Sequence, residues 1–142
     1  MFKTVLVAAD ASATASRAVD AAVELVKTLG GDLHVVTAYD PDSVKIDKLP
    51  DEYIDRVQDP ADLLLERLRT SINDKGVQAR YYPAAGDPAD AIVNVADKIG
   101  ADLIIVGNKG MKGVRRVLGS VPNSVAHKAN CSVLIVDTVS QA

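Results

Sequence analysis

At 142 residues, 48% apolar and 25% charged, the chain has the size and composition of one globular domain, 1–142, able to bury a core that needs no covalent staples. Its single cysteine, Cys131, excludes an internal disulfide, and a net charge of −3 argues against a general nucleic-acid binder, which draws on a basic surface. No apolar run approaches the about 18 residues of a membrane span and no signal-peptide pattern opens the chain, so the expected setting is cytoplasmic and away from membranes.

The short apolar run Thr4 to Ala9, bounded by Asp10, reads as a strand buried on both faces, and Asp32 to Tyr39 repeats the pattern after Gly30-Gly31. Between them Ala15, Ala18, Val19, Ala22, Val26 and Leu29 fall near the 3.6-residue period of a helix, which the two glycines stop. Residues 41 to 59 mix charges with little periodicity and predict a long surface connection. Ala61, Leu64, Leu65, Leu68 and Ile72 mark a second helix between Pro60 and Gly76, and Val77 to Tyr82 alternates as a half-exposed edge strand ahead of Pro83.

Asp87 is a suitable N-cap, Pro88 fits the first helical position, and Ile92, Val95, Ala96 and Ile99 form an apolar stripe ending at Gly100. Leu103 to Val106 predicts a fourth strand, Gly107 to Gly119 a glycine-rich loop, Ser120 to Ala129 a short helix, and Ser132 to Val136 a fifth strand. Strands alternating with helices in this way predict a doubly wound α/β fold, a five-stranded parallel sheet with helices on both faces.

Chemistry concentrates where such a sheet binds ligands, beyond the carboxyl ends of its strands, at Asp10, Tyr39 and Gly107. The loop GNKGMKGVRRVLGS carries glycines at 107, 110, 113 and 119, which let backbone N–H groups approach an anion without a Cβ in the way. Ser120 is an N-cap candidate for the next helix, whose first N–H groups would face the same anion; Pro122 offers none. From Leu103 to Val136 there is no acidic residue, and Lys109, Lys112, Arg115, Arg116 and Lys128 give that stretch +5, leaving −8 for the rest of a chain whose net charge is −3. A cationic loop on an acidic protein points to a small anionic ligand, with Lys112, Arg115 and Arg116 as secondary phosphate candidates.

His34 and His127 read as packed or surface histidines, Cys131 as a small core residue without reason for a lowered pKa, and no residues have metal-ligand spacing. Tyr53, Tyr81 and Tyr82 read as edge or surface packing.

Over nearly its whole length the sequence resembles the ATP-binding universal stress proteins, from the strand ending in Asp10 to the final strand after a motif G-x2-G-x9-G-[S/T]. It departs from that pattern in two places. Eight residues rather than nine separate Gly110 from Gly119-Ser120, with Gly113 able to absorb the difference, and the family's Asp-Gly-Ser stands here as Asp10-Ala11-Ser12. The resemblance implies strand order 3-2-1-4-5, ribose contact by Asp10, backbone contacts from Ala8 and Ala38 to the adenine end, Val106 and Gly107 along the nucleoside, and Gly110, Gly119, Ser120 and Val121 at the phosphates. The expected function is then ATP binding in a stress-response regulatory protein, with Mg²⁺ carried by the phosphates. Cyclic AMP binding, slow ATP hydrolysis and a nucleotide-free dimeric interaction module are the alternatives. Hydrolysis lacks a visible water-positioning group or the Walker pattern G-x4-G-K-[S/T]. The continuously apolar final strand, Val133-Leu134-Ile135-Val136, would be an exposed edge and is expected to pair with its copy in a homodimer.

Overall fold

The computed structural model describes residues 1–9, 15–39, 60–108 and 120–137. In chain order the elements are β1 (Thr4–Ala8), α1 (Ala15–Leu29), β2 (Asp32–Tyr39), α2 (Pro60–Asp74), β3 (Ala79–Ala85), α3 (Pro88–Ile99), β4 (Leu103–Gly107), α4 (Ser120–Lys128) and β5 (Ser132–Val136). All five strands lie in one parallel sheet of order β3-β2-β1-β4-β5, as the doubly wound reading requires.

The continuous apolar runs are explained by a core on each face. Side chains alternate across a strand, so Val5 and Val7, Leu33 and Val35, and Leu103 and Ile105 join one buried cluster with Ala18, Val19, Ala22, Val23 and Val26 of α1 and Leu65 and Ile72 of α2. Their neighbours Leu6, Val36, Ile104 and Val106 join the other, with Ala89, Ile92, Val95 and Ala96 of α3 and Val125 of α4. Leu29, placed by periodicity on the apolar stripe of α1, is instead 50% exposed at the helix end.

Helix α3 shows how short signals set its limits. The Asp87 carboxylate accepts from the Asp90 N–H at 3.1 Å, Pro88 occupies the first turn, and Gly100 takes the left-handed conformation at φ 68° while Ala101 N–H donates to Ala96 O at 2.9 Å. The two glycines after α1 act differently. Gly30 (φ 79°) closes the helix with its N–H on Val26 O at 2.7 Å, whereas at Gly31 an added Cβ would stand 2.7 Å from the Phe2 carbonyl oxygen.

Strand β3 runs from Ala79 to Ala85, through Pro83 rather than stopping ahead of it. Ala9 N–H donates to Val36 O, so the even-numbered residues of β2 turn their backbone groups to β1 and the odd-numbered ones to β3. With Thr37 in register with Pro83, the Thr37 groups meet those of Tyr82 and Ala84, and the proline nitrogen faces the outer edge, where no ladder bond is lost.

Candidate functional site

The sheet opens between β1 and β4. Their pairing ends at Val7 with Ile105, whereas β1 stays paired to β2 as far as Ala8 with Val36, and β4 to β5 as far as Gly107 with Val136. Lys3 O accepts from Asp32 N–H, so odd-numbered residues of β1 face β2 and even-numbered ones face β4. The backbone groups of Ala8 therefore turn toward the opening seam. Asn108 N–H donates to Val136 O, which assigns even-numbered residues at the end of β4 to β5 and turns the backbone of Gly107 toward the seam as well. Ala38 shares the parity of Val36, so its N–H and C=O face β1. Beyond β1 the chain crosses to α1 on one face, and beyond β4 to α4 on the other; such a reversal of winding is where open α/β sheets hold their ligands.

The structure brings several of the expected residues together. Ala8, Val106 and Val121 pack in one cluster, which sets the start of α4 beside the carboxyl ends of β1 and β4. Ser120 is the first residue of α4, one position further in than an N-cap. A helix start directs N–H groups and the positive end of the peptide dipoles at whatever occupies the seam. Asp10, Gly110, Lys112, Arg115, Arg116 and Gly119 lie outside the described residues. Nothing in the spacing singles out Asn108, yet beside its backbone bond to β5 its side-chain amide donates to the Asp137 carboxylate at 3.3 Å. It ties the root of the glycine loop to β5. A polar residue directly after an apolar strand was the available signal.

The model of the universal stress protein family matches residues 1–137. The chain belongs to that family. A universal stress protein of Bacillus subtilis is 35% identical, with 96% of this chain and 99% of the relative covered. Among solved structures, a universal stress protein in complex with cAMP superposes with a TM-score of 0.76 at 33% identity, over 96% of this chain and 98% of the other. The universal stress protein of Archaeoglobus fulgidus in complex with dAMP gives 0.68 at 26% identity, over 94% and 97%.

The ionisable residues of this universal stress protein outside the seam do structural work. His34 is 8% exposed; its Nδ1 shares a hydrogen bond of 2.9 Å with the Tyr82 hydroxyl, and the two rings stack with centroids 5.7 Å apart. Burial holds the imidazole pKa below its ordinary value, assisted by the Arg80 charge and partly opposed by Asp32. The unfolded chain then takes up a proton at higher pH than the native one, so stability is undiminished above about pH 6.5 and falls as pH drops from there through the lower native pKa. The urea midpoint is expected to decrease between pH 7.5 and pH 5, and His34→Gln to flatten that decrease; an unchanged slope in the variant would remove His34 from the effect. His127 is exposed on α4. The Cys131 thiol is pushed up by burial first and by the Asp102 and Asp97 charges second, the opposite of an activated nucleophile. Among the described residues no group of three His, Cys, Asp or Glu could hold a metal ion, and no helix is long and apolar enough to cross a membrane.

Proposed function

We propose that this universal stress protein binds an adenine nucleotide across the seam between β1 and β4, with ATP the favoured ligand and a stress-response regulatory role in the cytoplasm. The observation that carries the reading is the early end of the β1–β4 ladder, where the backbone of Ala8 and Gly107 turns toward one opening beside the start of α4, with Ala38 on the far side of β1 facing the same strand end. Asp10 supplies the carboxylate for the ribose hydroxyls. Gly110, Gly119, Ser120 and Val121 hold the phosphates, with Lys112, Arg115 and Arg116 adding charge and Mg²⁺ riding on the phosphate oxygens. The relatives solved with cAMP and dAMP support an adenine ligand.

Cyclic AMP is the second reading. It is favoured by the 33% identity to the cAMP-bound relative and by the phosphate loop being one residue short of the ATP-binding pattern, since a single phosphate needs a smaller cradle. Mass spectrometry of ligand released by denaturing the freshly purified protein, followed by titration with ATP, cAMP and adenosine, decides between them. Failure of all three to bind would overturn the proposal.

The protein is further proposed to be a homodimer through β5. This strand closes one side of the sheet, and Leu134 is 42% exposed there beside half-buried Val133, Ile135 and Val136. Sedimentation as a monomer at micromolar concentration would overturn this part.

A further inference from the structure

Among the described residues two buried side-chain hydroxyls have no hydrogen-bond partner, Thr37 Oγ1 and Tyr81 OH. Thr37 is the more deeply enclosed, at 4% exposure. Hydroxyls in such places are almost always satisfied, so an orphan asks for an explanation. Thr28 and Thr70 show the usual solution in this chain, each donating to the carbonyl four residues back in its helix, Glu24 O at 2.9 Å and Glu66 O at 3.3 Å. A strand offers no such carbonyl, because its own are directed sideways into the ladder.

The place of Thr37 narrows what could satisfy it. Alternation sets its side chain on the same sheet face as Leu33 and Val35, the face packed by α1 and α2. Its neighbours across the ladder are Ala9, one step beyond the pair Ala8 with Val36, and Pro83, in register on β3. Neither has a polar side-chain atom. Thr37 also directly precedes Ala38, and Ala9 directly precedes Asp10, the two positions assigned above to the base and the ribose.

We propose that Thr37 reads the base: its hydroxyl accepts a hydrogen bond from the exocyclic amino group of adenine. That group carries two N–H donors. The carbonyl of Ala38 can take one, and the adjacent threonine supplies an acceptor for the other. The hydroxyl oxygen left without a partner in the ligand-free fold then gains one in the complex, on its acceptor side. This inference rests on the adenine-nucleotide reading and adds to it a side chain that senses the amino group.

The test is a two-by-two comparison using Thr37→Val, which keeps the shape and removes the hydroxyl. Adenosine and purine riboside, which lacks the amino group, are titrated into the wild type and the variant. Adenosine affinity is expected to fall about tenfold in Thr37→Val while purine riboside affinity stays within about twofold. Thr37→Ser is expected to bind adenosine as the wild type does, and the thermal midpoint of ligand-free Thr37→Val to be no lower than wild type. Equal losses for both ligands, or no loss for either, would overturn the role of Thr37 and leave nucleotide binding standing. Wild-type protein that binds neither ATP nor any nucleoside defeats the underlying functional reading instead. Should Thr37→Val fail to fold, Thr37→Ala takes its place in the same comparison.

Discussion

Gly110→Val and Gly119→Val are each expected to weaken ATP binding by about 100-fold or more, close to 2.7 kcal/mol, while leaving the far-UV spectrum and thermal unfolding of the ligand-free protein nearly unchanged. Valine disfavours φ above zero and places a branched side chain where a phosphate must approach backbone N–H groups. The buried clusters on the two sheet faces are built from the strands and helices, and a surface loop contributes little to such a core, so binding is expected to be lost before folding is. Charge and ribose contributions separate in the same titration. Arg115→Ala and Arg116→Ala weaken ATP more than adenosine, by a margin that shrinks as salt rises, whereas Asp10→Ala weakens both by similar factors. Unchanged ATP affinity in both glycine variants would place the site elsewhere.

The largest loss of stability is expected from Ile104→Ala, about 2–5 kcal/mol, a large share of the roughly 5–15 kcal/mol that holds a domain of this kind together. Ile104 has 0% exposure and sits in β4 between Leu6 of β1 and Val133 of β5, beneath the α3 and α4 side of the core. Strands bonded on both sides cannot close over the missing methylene and methyl groups. Leu29→Ala is the matched control: its side chain is 50% exposed at the end of α1, and the change is expected to stay within about 0.5 kcal/mol. Urea unfolding with an unchanged m-value reads both. A loss below about 1 kcal/mol at Ile104 would mean that the core relaxes around the cavity.

The elements written in local chemistry were legible. Asp87-Pro88 and Gly100 bound α3 as expected, and the runs Asp32 to Tyr39 and Ser132 to Val136 are the observed strands. Features that depend on distant partners were not. Pro83 looks like a strand terminator until β2 is known to lie on one side of it only; then the register shows that its nitrogen faces outward. The helix period cannot tell that Leu29 is left half exposed at the end of α1, nor that Gly31 stands close against the Phe2 carbonyl. The stacking of His34 on Tyr82 joins residues 48 apart in sequence. For the candidate site, glycine spacing and cations point to a loop that lies mostly outside the described residues, while the parting of β1 from β4 is a property of hydrogen-bond register that no single strand carries.

The two sides of the sheet differ in a way that limits assembly. Along β3 the row of outward donors is interrupted by Pro83, so an incoming strand would meet a gap in the middle of its ladder. Along β5, Ser132–Val136 contains no proline and exposes Leu134. If both sides accepted strands, β5 of one molecule could add to β3 of the next, and head-to-tail repetition would give open filaments. With β3 interrupted, the partner left for β5 in the proposed dimer is another β5; the symmetry of that contact would use up both sticky sides at once and stop growth at two copies.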